Sequence, residues 1–498
     1  LIQSFVSDIG LPYLPFRIFT SCNRKYIRLK IGNIGFVVLI NLIIKPLWLG
    51  TEFYLQDHLG HTTWGTYTAL SAFALALVVF TDFGINQYTI KSLAGDTGKF
   101  KSWFPGLLGF KLLLLVVYPL LLAFGGWLMG YSSQQLSWLL IIAFSFSALH
   151  LIQFLRSVFQ AFQHFRMDAM ASSLDKFLLM GMSLAFIYSG SKNFNIFLIL
   201  LSLSAAISLL IFLVIVFRRY QAKGIHLKFQ FIRRIVKLSF PFALISVVYA
   251  VHDKVDKVML DELAGPYVTG LYAAASRWVD ALMMYTWIIM GLYYARFAKF
   301  AKDPEACRIL LKKGQALGAI PMIPAFLVLF FAGTPITSML LRNSTPEELN
   351  SIQDSLVWLA LSTVVNSTFV IYSTYLTACG YERKVTRMVA LSIVLKVLIN
   401  FIFIPAYGGK AAALASLISF TFLSALYIWL TQVHSALRIP YKELLYFGLS
   451  GLACFILGYI LQPYMSVIAL MACVLGLYAG IGIGAGFLRP AYIRELMQ

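Results

Sequence analysis

Ten charged residues sit inside or at the ends of stretches otherwise apolar enough to cross a bilayer. Six are basic (Lys45, Lys111, Lys254, Lys257, Arg277, Lys396) and four are acidic (Asp82, Asp253, Asp256, Asp280). A charged side chain at the centre of a membrane helix costs roughly 2.5–3.5 kcal/mol on the insertion scale. Such residues normally face a bundle interior or a water-filled cavity. The densest group is His252-Asp253-Lys254-Val255-Asp256-Lys257. At about 100° per residue, His252, Asp253, Asp256 and Lys257 share one arc, Lys254 lies at its edge, and Val251, Val255 and Val258 take the opposite face. Two readings stand side by side. In one, Asp253 and Lys257 pair at i,i+4, and Arg277 and Asp280 at i,i+3, giving self-neutralised faces. In the other, these residues line a cavity.

The chemistry follows from the sign. An excess of cations suits phosphate or pyrophosphate, which Arg forks and Lys point charges hold well, so Lys45, Lys254, Lys257, Arg277 and Lys396 are the candidate substrate-binding residues. Asp253, Asp256 and Asp280 are candidates for coupling to a proton or a sodium ion. Asp82, in Thr81-Asp82-Phe83-Gly84-Ile85, reads equally as a structural cap. Lys111, near the end of its segment, is expected to snorkel to the membrane surface. Lys396 lies mid-segment and has no such escape, and Lys45 adjoins a kinking proline, Pro46.

The elements that must position these residues are helices. The chain has 498 residues, 60% hydrophobic and only 12% charged, against about 25% charged in soluble proteins. About fourteen apolar segments of membrane-spanning length run from residue 31 to residue 488, among them 235–260, 268–297 and 385–405. Connections are short. If the segments alternate, Lys and Arg collect almost wholly on one side, and the opposite connections hold just Lys192, Arg342 and Lys410. By the positive-inside rule both termini are cytoplasmic. The net charge of +20 is therefore read as topology, and nucleic acid is not an expected partner. Five scattered cysteines form no metal or disulfide pattern. Residues 1–30 lack the small-residue cleavage site of a signal peptide. Gly476, Gly480 and Gly484 recur every four residues and suggest close helix packing.

A repeat organises the segments. Gly65-Thr66-Tyr67-Thr68-Ala69-Leu70-Ser71 opens segment two, and Gly270-Leu271-Tyr272-Ala273-Ala274-Ala275-Ser276 opens segment eight. The expected fold is all-α and polytopic, with two six-helix lobes in parallel repeat plus two C-terminal helices. The lobes occupy 1–230 and 231–435, and the last pair 436–498.

Val255-Asp256-Lys257-Val258-Met259-Leu260, followed by Gly270 to Arg277, resembles the signature of the Wzx-type polysaccharide repeat-unit flippases. So do Asp82-Phe83-Gly84-Ile85, Ala378-Cys379-Gly380, Asn400 and Ile404-Pro405-Ala406-Tyr407-Gly408-Gly409 with Ala411-Ala412-Ala413. The similarity runs through roughly 30–435. It implies the fold of the multidrug/oligosaccharidyl-lipid/polysaccharide (MOP) exporters, with two lobes around a cavity. It also implies flipping of an undecaprenyl-pyrophosphate-linked oligosaccharide from the cytoplasmic to the outer leaflet of a bacterial inner membrane. The partners expected are that glycan, membrane lipids and other glycan-assembly proteins. No cofactor is expected, and the chain reads as a transporter rather than an enzyme. The competing readings are a small-molecule cation antiporter of the same fold, which predicts an acidic cavity, and a membrane glycan polymerase or ligase, which would want a larger outer loop than 334–351.

Overall fold

The computed structural model describes residues 31–93, 97–162, 164–220, 224–225, 229–301, 303–434 and 441–488. The basic segment before residue 31, residues 221–223 and 226–228 of the 218–237 connection, the chain after 488 and the side chain of Lys45 lie outside the described residues. Every regular element described is helical. In chain order they are α1 (Ile31–Leu59), α2 (His61–Ala76), α3 (Ile85–Leu93), α4 (Thr97–Leu128), α5 (Ser133–Ala161), α6 (Phe165–Ala171) and α7 (Leu174–Tyr188). There follow α8 (Phe194–Tyr220), α9 (Phe229–Phe300), α10 (Pro304–Leu340), α11 (Pro346–Ala378), α12 (Glu382–His434), α13 (Tyr441–Leu461) and α14 (Val467–Gly484). Among the described residues nine helices are long and apolar enough to cross a membrane. The chain is a multi-pass membrane protein.

Local chemistry sets the boundaries. Ser132 and Gln135 close a capping box on α5, and Thr345 and Glu348 another on α11, where Pro346 occupies the first turn. Asp303 accepts from the backbone N–H of Glu305 and Ala306 ahead of α10. These side chains satisfy N–H groups that a helix start leaves without partners.

The structure departs from the apolar segments in two places, segments two and five, and joins consecutive segments directly in two others. Segments seven and eight follow one another within α9, and segments eleven and twelve within α12, each as two helices joined across a kink. Each turns at one glycine with positive φ, Gly265 (85°) and Gly408 (53°), a conformation that a Cβ disfavours. The 53 residues of α12 amount to about 80 Å of helix, too long for a hydrocarbon core of roughly 30 Å, so its two halves cross separately. Segment two does not remain helical to its end. It tightens into a 3-10 turn at Val78–Thr81, and Asp82-Phe83-Gly84 reverse the chain with Phe83 at φ 41°. Segment five breaks at Ser172 and Ser173, where the Ser172 hydroxyl bonds back to the Ala169 carbonyl at 2.8 Å, competing with helical pairing.

The described chain forms two compact units. One holds α1 and Leu70–Lys254; the other holds the strip His61–Ala69 with Val255–Gln498. The first is centred on an aromatic core from α4, α5 and α8, in which Phe100 stacks on Phe104 at 4.6 Å and Phe104 on Phe154 at 5.6 Å.

In the second unit α10 carries Pro321, Pro324 and Pro335. A proline has no N–H, so the carbonyl four residues earlier loses its partner. Two tyrosines from other helices supply replacements. Tyr285 donates to the Leu317 carbonyl at 3.1 Å, and Tyr478 to the Ile320 carbonyl at 3.0 Å. Tyr478 belongs to α14, so the last helix pair seats directly on the proline-interrupted part of α10. Ile323, Leu327 and Phe331 pack there with Phe447, Cys454, Leu470 and Val474. The Gly476-Gly480-Gly484 stripe does not make this contact, since a Cβ at any of the three would meet nothing within 4 Å. Close approach runs through Gly451, against Ile323, and Gly458, against Phe331 and Val474.

Candidate functional site

The first half of α9 carries Asp256, and its second half, after the turn at Gly265, carries Tyr272. The first half of α12 presents Lys396 and Asn400, spaced i,i+4 on one face, and its second half presents Ser416. These four stretches meet at the Asp256 carboxylate. Lys396 Nζ lies 2.7 Å from Oδ2. The Ser416 hydroxyl donates to the same oxygen at 2.8 Å and the Tyr272 hydroxyl at 3.2 Å. Asn400 Nδ2 donates to Oδ1 at 2.8 Å. All five side chains are buried; Asp256 keeps 4% of its surface and Lys396 2%. One turn away along the same seam, Ser392 and Ser419 bond each other at 2.7 Å.

The geometry has an electrostatic reason. Two opposite charges are tolerated in a dry interior when they pair closely and their other lone pairs are satisfied. Asp256 meets that condition with four donors. Sequence reasoning singled out Asp256 and Lys396 but not Tyr272, Asn400 and Ser416 as their partners. The i,i+4 step from Lys396 to Asn400 was the available signal. The contributions of Tyr272 and Ser416 depend on turns at Gly265 and Gly408 that bring separate helices together.

The other candidates fall elsewhere. Lys254 pairs with its neighbour Asp253 at 2.7 Å. Lys257 reaches across to Asp280 at 3.4 Å, rather than along its own helix to Asp253, and Asp280 is thereby engaged by Lys257 rather than by Arg277. These two pairs are wetter than the Asp256 pair, with Asp253 57% and Asp280 45% exposed. Arg277 is buried and its guanidinium stacks 4.8 Å over the Trp64 ring, a cation–π arrangement. In the other unit Lys111 does not snorkel. It is fully buried and bonds Asp82 at 3.1 Å, while Asp82 also accepts from the Asn86 N–H, as the cap the sequence allowed.

The repeated motifs also meet. A Cβ on Gly65 would collide with the Pro266 carbonyl, and one on Gly270 with the His61 carbonyl, so the two helix starts cross at backbone contact. His61 accepts or donates at 2.9 Å to Ser344 and lies 3.9 Å from Glu348, to which Tyr267 donates at 2.8 Å.

Comparison with known proteins places this geometry. The model of the family described as polysaccharide biosynthesis protein matches residues 31–299, and that of the MatE family residues 241–402. An uncharacterized membrane protein of Methanocaldococcus jannaschii, MJ1375, is 26% identical over 207 residues, 41% of this chain and 46% of that protein. The match thus spans less than half of that relative. Among solved structures, the lipid II flippase MurJ in an inward closed conformation superposes with a TM-score of 0.71 at 16% identity, covering 93% of this chain and 99% of MurJ. An inward-facing multidrug resistance MATE family transporter of the MOP superfamily gives 0.60 at 14% identity, covering 80% and 96%. A MOP superfamily transporter from Pyrococcus furiosus gives 0.54 at 13%, covering 80% and 94%. At these identities the structures speak for the fold. More than half of the chain follows the first family model, and the chain therefore belongs to the polysaccharide biosynthesis protein family, with the fold of the MOP-superfamily transporters.

Proposed function

We propose that this protein flips an undecaprenyl-pyrophosphate-linked oligosaccharide from the cytoplasmic to the outer leaflet of a bacterial inner membrane by alternating access, with both termini cytoplasmic. One observation carries the choice within the superfamily. The lipid II flippase fold accounts for 93% of the chain and the MATE fold for 80%. That margin is comparable to residues 436–498, which contain α13 and α14. The MatE match over 241–402 favours the cation antiporter as the second reading.

The pyrophosphate is assigned to Lys254, Lys257 and Arg277, with Lys45 as a further cation. Lys254 and Lys257 sit in pairs whose carboxylates are half exposed. The lysines themselves are 20% and 13% exposed, and a pair with one wet partner costs less to open than one buried on both sides, so an arriving diphosphate competes with Asp253 or Asp280 for them. The Lys396 ammonium is held by the buried Asp256 and does not belong to this group. Asp253 and Asp280, freed on substrate arrival, are the candidates for taking up a coupling proton. The deciding experiment is deletion of the gene followed by analysis of lipid-linked glycans on the cytoplasmic leaflet. Accumulation of one species, reversed by the intact gene, supports the flippase; intact surface glycan with no accumulation removes it. Drug efflux lost on deletion, with glycans unchanged, selects the antiporter.

A further inference from the structure

We infer that the oxygen cluster around Asp256 is a monovalent-cation site whose cation is built into the chain: the Lys396 ammonium holds the place that a free sodium ion would otherwise take. The inference concerns this cluster alone and does not rest on the identity of the transported molecule.

Three features carry it. The first is the donor set. Asp256, Ser416 and Tyr272 bring carboxylate, hydroxyl and phenol oxygens to one point, where Asn400 adds an amide that faces Asp256 through Nδ2, and the hard alkali and alkaline-earth cations are held by oxygen ligands of this kind. The second is charge. The set carries one negative charge, from Asp256, and so calls for one positive charge. Lys396 supplies it at 2.7 Å, alongside Ser416 at 2.8 Å on the same carboxylate oxygen. The third is a leftover acceptor. Asn400 is fully buried, and while its Nδ2 donates to Asp256, its Oδ1 has no hydrogen-bond partner among the described residues. A buried carbonyl oxygen without a donor is costly in a site served only by N–H and O–H groups. It is an asset where a cation sits, because a half-turn of the amide brings that oxygen to face it.

A tethered ammonium has a consequence that a diffusible ion does not. The Lys396 charge never leaves the chain, so this cluster stays neutral in sodium-free and sodium-rich media alike. Taking the ammonium away leaves a buried, singly negative oxygen cage, and sodium then has somewhere to bind.

The test uses the full-length protein purified in detergent. Melting temperature is followed while NaCl replaces choline chloride at constant ionic strength, and retained 22Na+ is counted. The parent protein is expected to melt identically in both salts and to retain no 22Na+. Lys396→Ala is expected to melt lower in choline, to recover about half or more of that loss saturably with sodium, and to retain one 22Na+ per chain. Asp256→Asn added to it should abolish both responses. Should Lys396→Ala fail to fold in either salt, Asn400→Asp decides. It keeps the ammonium but adds a second negative charge, and is expected to gain sodium-dependent melting. A saturable, sodium-specific shift in the parent protein would overturn the inference. So would the absence of any sodium response in every variant that folds.

Discussion

The Asp256–Lys396 pair can be weighed by a double-mutant cycle. Lys396→Met keeps the length of the side chain and removes its charge, stranding a carboxylate that is 4% exposed. Asp256→Asn keeps the shape and strands an ammonium that is 2% exposed. Breaking a buried pair by removing one partner costs about 3–5 kcal/mol, because a charge remains in low dielectric. The double variant leaves no charge behind, and replacing a whole buried pair by neutral groups is often near neutral. If the singles cost about 4 kcal/mol each and the double about 1, the interaction energy is about 7 kcal/mol, far outside the few tenths expected of independent sites. Scaling the size dependence of melting to a chain of this length gives about 1–2 °C per kcal/mol. Each single variant should then melt roughly 4–8 °C below the parent in sodium-free buffer, and the double within about 2 °C of it. Tryptophan fluorescence on detergent-purified protein reads this directly. Additive losses would refute the reasoning, because they would mean that the two charges do not see one another in the folded protein.

Three further outcomes follow from other parts of the structure. Tyr478→Phe removes the donor to the Ile320 carbonyl and should cost about 1–3 kcal/mol, the penalty for a buried unsatisfied group. Pro324→Ala in the same chain returns an N–H to that carbonyl and should restore the melting temperature; no rescue would show that the hydroxyl has another task. Gly65→Ala and Gly270→Ala, where a Cβ would strike backbone, should lower stability sharply. Gly476→Ala and Gly480→Ala, which face open space, should raise it by up to about 1 kcal/mol through helix propensity, and equal effects of the two pairs would contradict the packing described. Asp261 lies between the apolar segments 235–260 and 268–297. Burial, and then the adjacent Glu262, push its carboxyl up to about 6. Its folded value exceeds the unfolded one near 3.9, so the stability it contributes is present at low pH and is lost as pH rises through 6. Asp261→Asn should therefore melt with the parent at pH 4 and above it at pH 7.5; parallel melting profiles across that range would exclude this group as the cause.

The fold was legible because membrane helices announce themselves by length and hydropathy, and every backbone polar group in lipid must be satisfied within its own segment. What sequence could not read was how directly one helix follows another. Gly265 and Gly408 are non-helical and each separates two helices that follow without a loop, so the separate spans seen by hydropathy are kept but the closeness of their junction is not visible to it. The same blindness affects partners. Periodicity orders residues around a single helix, so it offered Asp253 to Lys257 and Asp280 to Arg277. The structure gives Lys257 to Asp280, because a side chain on the adjoining helix presents its carboxylate within 3.4 Å. The seating of α14 was hidden for a related reason. The glycine stripe at 476, 480 and 484 is the obvious packing signal, but the contact is made through Tyr478, whose value appears only once Pro324 is known to have freed the carbonyl beside it.

The distribution of charge changes what the basic residues mean. Lys111, Lys254, Lys257 and Lys396 each lie within 4 Å of an aspartate. An unmatched field of lysines would bind any anion strongly and release it slowly. Matched pairs behave differently according to their wetness. Lys396–Asp256, buried on both sides, and Lys111–Asp82, whose lysine is fully buried, hold helices in register, since a charge can leave a buried pair only at a cost of several kcal/mol. The pairs with half-exposed carboxylates, Lys254–Asp253 and Lys257–Asp280, cost less to open, and on the proposed flippase reading opening them exposes a cation for a phosphate and a carboxylate for a proton together. Substrate arrival and proton uptake would then be two sides of one exchange. Neutralising Asp253 and Asp280 by asparagine separates them: the lysines stay available, the proton acceptors disappear, and glycan binding should persist while export loses its response to an uncoupler. An uncoupler effect that survives the double substitution would place the coupling proton elsewhere.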